Sequence, residues 1–342
     1  MKKLEGWERG INLGGWLSQC DHTKETYDHF IQKEDIKKIA GWGLDHVRVP
    51  VDYVLVEDAD GNEIPEGYAY IDKAVSWCEE YGLNMILDLH RTFGFSFDKG
   101  ENEKGFFENK DYQERFCRLW ERLATRYGNK PDRLALELLN EVTEMEYMDT
   151  WKEVYDTCIR RIRAIAPDVK IIVGGYHNNS IEALPALLPP QDENIVYTFH
   201  CYEPLIFTHQ GAYWISTMDT SFRMSINEPY RKMQEYSDRY LEQVAVGFDG
   251  FDPESSLDVS YFDKHFKEAV DLAEERNVAL YCGEYGVIDL ADPQEILKWY
   301  RIIHEAFEKH GIGRAAWCFR KKDFGFVDEH MEPVLDEILK LL

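Results

Sequence analysis

Apolar residues along this 342-residue chain fall into two alternating patterns. Short runs, several of them apolar on both sides, occupy 10–15, 46–51, 84–90, 133–141, 170–175, 195–202, 279–286 and 314–319. Runs of that length read as strands covered on both faces, the state of a parallel strand beneath helices. Between them lie longer segments with helical spacing, at 34–42, 70–82, 111–127, 146–166, 263–276, 292–310 and 332–342. Ile36, Ile39, Ala40 and Gly43 line one face of the first; Phe116, Leu119, Trp120 and Leu123 line one face of the third. Eight strands alternating with helices predict one α/β domain over 1–342, a closed (β/α)8 TIM barrel. An open doubly wound sheet is the weaker reading, because no G-x-G-x-x-G follows the first strand.

One connection breaks the rhythm. Some 55 residues, 204–260, separate strand six from its helix. They carry Phe207, Tyr213, Trp214, Phe222, Tyr230, Tyr236 and Tyr240, and a helical pattern at 228–244. A connection this long is functional more often than structureless, so a folded insertion over the barrel mouth is expected. It would either close one end of a cleft or wall an open groove.

Composition narrows the partners. The net charge of −25 repels polyanions, which argues against nucleic acid and anionic membrane and leaves a neutral ligand compatible. No apolar run is long enough to span a bilayer. The start, MKKLEGWERG, is basic but lacks an apolar stretch, so the expectation is a cytoplasmic chain, secreted only if a leader has been removed. Seven cysteines, scattered and never spaced CxxC, predict reduced thiols rather than a disulfide framework or structural zinc site. The 9 Trp, 20 Tyr and 18 Phe exceed what a core requires, so some are expected as flat platforms for a ligand. Oligomeric state is not encoded in any of these features.

Polar and aromatic residues collect where the strands end: Arg48, His90, Asn140, Glu141, His200, Tyr202, Glu284 and Trp317. In a parallel barrel those ends share one rim, where barrel active sites lie. Glu137 and Glu141 share a face on strand four but differ in depth by about 13 Å if the strand continues, so Glu137 is expected below the rim. Glu144 and Glu146 read as charge at a helix start. Strands four and seven lie on roughly opposite sides, so Glu141 and Glu284 can face each other. Two opposed carboxylates suit glycoside hydrolysis: one protonates the leaving oxygen, the other attacks the anomeric carbon. Arg48 can hold one carboxylate charged, and His200 and Tyr202 can donate hydrogen bonds to a carboxylate. Asn140 can reach a sugar hydroxyl, and Trp317 can stack on a sugar face. By strict alternation Cys282 would share Glu284's face, but no activating histidine adjoins it in the motifs, so a core cysteine is expected.

The motifs "NE" ending strand four, "GEYG" ending strand seven, "HVRVP", "DLH", "FHCY", "INLGGW" and a Trp ending strand eight resemble glycoside hydrolase family 5. The resemblance covers essentially the whole chain. It is nearest to the bacterial cellulase C type of endoglucanase, and "NLGGW" is also similar to exo-β-1,3-glucanases of the same family. It implies a retaining endo-β-1,4-glucanase acting on cellulose-like or mixed-linkage β-glucan, with no metal or cofactor. It further implies Glu141 as acid/base and Glu284 as nucleophile, attended by Arg48 and Tyr202, with His200 near the acid/base. His90 and Asn140 would contact the sugar at the cleavage subsite, and Trp317 would be its platform. Many members continue Asn-Glu-Pro where Val142 stands here. Exo-β-1,3-glucanase, xyloglucanase and β-mannanase remain alternatives on the same scaffold. A metal-dependent hydrolase using His90, His200, Asp88, Glu141 and Glu284, and a non-catalytic sugar-binding protein, are the remote ones.

Overall fold

The eight apolar runs become eight parallel strands. They are β1 (Arg9–Asn12), β2 (His46–Asp52), β3 (Asn84–Arg91), β4 (Leu134–Glu137), β5 (Lys170–Val173), β6 (Ile195–Cys201), β7 (Ala279–Tyr285) and β8 (Gly313–Ala316). In the computed structural model, which describes residues 1–98, 100–241 and 247–342, they close in chain order, with β8 pairing back onto β1. Every residue of β2, β6 and β7 is buried, which explains why these strands lack polar alternation.

The barrel interior is layered. Trp7, Ile86, Ala135, Ile172, Val196, Ala279, Tyr281 and Ala315 form an apolar plug. Two residues further along their strands, on the same side by the strand period, stand Asp88, Glu137 and Thr198, all fully buried. The polar layer therefore sits directly on the plug, nearer the C-terminal rim.

Amphipathic helices surround the barrel: Lys33–Gly41, Pro65–Tyr81, Lys110–Tyr127, Met148–Ile165, Val259–Glu275 and Pro293–His310. The face Phe116, Leu119, Trp120 and Leu123 is buried as its spacing predicted. Side chains of Asn109, Asp258 and Asp292 cap three of the N-termini. Gly82 and Gly311 end two helices at φ 77° and 65°, where a side chain would be strained.

Four expectations need correction. First, β4 stops at Glu137 rather than 141, so Glu141 stands on the loop beyond it. Second, β7 carries an extra residue against both neighbours: Cys282 pairs with Phe199 and Arg314, yet Glu284, not Gly283, pairs with His200. This bulge breaks alternation. Cys282 packs in the outer core while Glu284 turns inward, so the two do not share a face. Third, the 332–342 pattern yields only a short helix, Leu335–Ile338. Fourth, the 146–166 helix begins as a 3-10 turn at Met145–Tyr147. Glu144 precedes that turn and Glu146 lies in it, the helix-start positions expected of them.

The insertion after β6 contains helices Leu205–Thr208 and Tyr230–Tyr240. Of the predicted 228–244 helix, residues 242–244 lie outside the described residues. Most of its aromatics pack: Tyr230 lies 5.1 Å from both Phe248 and Phe251, and Phe222 lies against Tyr236 and Tyr240. Tyr213 and Trp214 are instead exposed.

Candidate active site

The site is organised around Arg48, a guanidinium with no solvent contact. Burying such a charge is costly unless its donors are met, and here all five N–H groups have acceptors. Nε and Nη2 donate to the two oxygens of Glu137 at 2.7 and 3.0 Å. Nη1 donates to Asn12 Oδ1 at 2.9 Å and to Glu284 Oε1 at 2.8 Å. Nη2 also donates to Asn140 Oδ1 at 2.9 Å and lies 3.1 Å from Asp88. Glu137 is below the rim, as expected. The continuous-strand depth fails, however, because Glu137 and Asn140 share one guanidinium.

Glu284 receives a second donor, the Tyr202 hydroxyl at 2.9 Å on Oε2. Both its oxygens thus accept hydrogen bonds, the arrangement a carboxylate anion requires. At the bulge before it, a Cβ on residue 283 would stand 3.0 Å from Thr198 Oγ1 and 3.1 Å from His200 Nε2, so glycine there leaves the His200 ring its space.

Glu141 sits differently. Its Oε1 lies 2.7 Å from His200 Nδ1, and its Oε2 accepts from Asn178 Nδ2 at 2.8 Å. Burial pushes its carboxyl pKa above the usual range, with the Asn178 bond opposing. His200 is pushed down to about 4, again by burial, and is neutral near pH 7. Asn179 Nδ2 approaches His200 Nε2 at 3.4 Å, which leaves the ring proton on Nδ1, facing Glu141.

One oxygen of Glu141, one of Glu284 and a nitrogen of His200 lie within 4.8 Å of one another. Around them, His90 holds Asp88 through Nδ1 at 2.6 Å, while its Nε2 is buried without a hydrogen-bond partner among the described residues. Asn140 Nδ2 is likewise buried and has no partner among those residues. Such atoms are what a ligand hydroxyl would satisfy. Trp317 stacks on His90, rings nearly parallel and 5.9 Å apart. Ala212 and Ile215 of the insertion pack with Trp317, tying the insertion to the mouth. All eight rim residues therefore converge on one centre.

The model of the family described as cellulase (glycosyl hydrolase family 5) matches residues 9–323. The chain belongs to this family. Cellodextrinase A of Ruminococcus flavefaciens is 47% identical over 94% of this chain and 88% of its own length. Endoglucanase C of Acetivibrio thermocellus is 35% identical over 99% and 98%. Among solved structures, cellulose synthase subunit Z of Clostridioides difficile superposes with a TM-score of 0.75 at 27% identity, covering 98% of this chain and 99% of that one.

Three groups in this cellulase-family site escaped the sequence reading. Asn12, on β1, accepts from Arg48 and donates to the carbonyls of Gly283 and Ala315. Asn178 and Asn179 follow β5, a strand that contributed no rim candidate. His177, Asn178 and Asn179 take φ values of 51°, 59° and 56°, the left-handed region that asparagine tolerates better than most residues. The turn is held by His177 N–H to Thr143 O and Asn178 N–H to Val142 O, so it docks on the loop that carries Glu141. The signal was the Asn-Asn pair just after the β5 glycines.

Proposed function

We propose that the chain is a retaining endo-β-1,4-glucanase with Glu284 as nucleophile and Glu141 as acid/base. The observation that carries this reading is the approach of the two carboxylates, with oxygens within 4.8 Å of each other. Retaining glycosidases need their carboxyl groups about 5–5.5 Å apart, whereas inverting enzymes hold them roughly 6.5–9.5 Å apart to admit a water.

The environments divide the labour. Glu141, buried and raised in pKa, enters as the acid and gives its proton to the glycosidic oxygen. Glu284 attacks the anomeric carbon as that bond breaks, and Arg48 and Tyr202 keep its charge in place. A glycosyl ester on Glu284 results. Glu141, now a carboxylate accepting from His200 and Asn178, takes a proton from water as the water opens the ester. His90 Nε2 and Asn140 Nδ2 bind sugar hydroxyls, and Trp317 supplies the apolar face beneath the ring.

The substrate is a neutral β-glucan, in keeping with the acidic chain. A preference for short, soluble cello-oligosaccharides is a second reading, favoured by the 47% identity to a cellodextrinase. Proton NMR during cellopentaose hydrolysis tests the mechanism: the β-anomer must appear first, and initial α-anomer would sink it. Product profiles on carboxymethyl-cellulose and cellopentaose separate the two substrate readings. Turnover unchanged by chelator is expected, and loss restored by metal would favour the metal-dependent alternative.

A further inference from the structure

We propose that Cys201, Glu203 and His265 form a binding site for one thiophilic divalent cation of the zinc class, on the outer side of β6. Cys201 is buried in the outer core, and Glu203 follows two residues later. His265 comes from the helix Val259–Glu275 packed over this end of the sheet. One ligand atom from each lies within 4.8 Å of the other two. The set is one sulfur, one imidazole nitrogen and one carboxylate oxygen, which suits zinc better than magnesium or calcium.

Glu203 Oε2 and His265 Nε2 face each other as an ion pair at 3.6 Å, longer than an ordinary hydrogen bond, and neither atom has a hydrogen-bond partner among the described residues although both atoms are buried. The spacing matches the edge of a tetrahedral zinc site, roughly 3.3–3.8 Å for bonds of about 2.0–2.3 Å.

His265 also borders a cavity of about 180 Å³, lined by Ile181, Pro185, Tyr261, Lys264 and Glu268. The cavity gives a hydrated ion a route as far as His265; Cys201 and Glu203 lie outside its lining. Lys264 directs its ammonium at the Asp249 carbonyl. Binding replaces the thiol S–H of Cys201 with a metal–sulfur bond and releases that proton to solvent, so affinity rises with pH.

None of the three proposed ligands is a catalytic residue, and cobalt(II) titration of the phosphine-reduced protein tests the proposal. The expected result is a thiolate-to-cobalt charge-transfer band saturating at one equivalent and bleached by zinc. Cys201→Ser should abolish the band, and His265→Gln should weaken cobalt binding at least tenfold. Glu141→Gln should leave both unchanged, since the catalytic cluster offers no sulfur. Near-UV circular dichroism checks that each variant is folded. Absence of the band in the wild-type protein, or its survival in Cys201→Ser, would overturn the proposal.

Discussion

Asn178 holds the oxygen of Glu141 that His200 does not reach. Its bond favours the ionised form, so removing it should raise the carboxyl pKa further. A hydrogen bond to a charged group contributes about 1.5–3 kcal/mol, and one pKa unit is about 1.36 kcal/mol. Asn178→Ala should therefore move the alkaline limb of kcat/KM upward by about one unit, because the protonated acid persists to higher pH. A slower enzyme with an unmoved limb would mean that Asn178 merely shapes the loop. Arg48→Lys tests the centre itself. A single ammonium cannot reach Glu137, Glu284, Asn12 and Asn140 together, so buried partners are left unpaired. A loss of about 3 kcal/mol in urea unfolding is expected, with turnover lowered at least a hundredfold. At this scale the carboxylates were legible because charge at the end of an apolar strand is costly without purpose. Asn12, Asn178 and Asn179 were not, because an uncharged amide in a strand or turn carries no such cost in the sequence.

The strand-end rule worked wherever the backbone ran regularly. On β2 and β6, Arg48 and Thr198–His200 follow from a period of two, as does Asp88 on β3, whereas His90 is the extra residue where Val51 pairs with Leu89 and Asp52 with Arg91. On β7 the rule still placed Glu284 at the centre, but alternation failed, because the extra residue at Gly283 reverses the facing of what lies beyond it. Nothing local in "YCGEYG" separates a bulge from a regular strand except the glycine itself. The space decides the matter: a methyl at 283 would press on Thr198 and the His200 ring. Gly283→Ala should cost about 1–3 kcal/mol of stability through overpacking. It should also displace His200 from Glu141, so kcat falls more than KM rises. Full activity with unchanged thermal stability would show that the strand absorbs the methyl without moving His200. The missing helix after β5 has a related cause. Consecutive left-handed residues and Pro185 replace a regular crossover, and this loop reaches over to Glu141. The fold tolerates that irregularity at the rim, where it is used.

Across the whole molecule, one guanidinium faces three buried carboxylates. Arg48 contacts Asp88, Glu137 and Glu284 and can neutralise one full charge. The excess falls on the groups with least compensation. Burial pushes Asp88 up to about 7, with Arg48 opposing, and raises Glu137 as well. An acid whose folded pKa exceeds its unfolded value binds more protons in the native state, so its contribution to stability is present at low pH and lost as pH rises. For Asp88 the window runs from its ordinary value of 3.8 to about 7. Stability attributable to this residue should thus decline across the weakly acidic range, opposite in sign to the salt-bridged surface carboxylates. Asp88→Asn keeps an amide oxygen for Arg48 and His90 while removing the titration. Urea midpoints measured at pH 4.5 and 7 should show the variant gaining on the wild type as pH rises. Parallel curves would mean that Asp88 is ionised throughout and that the charge excess is carried by Glu137.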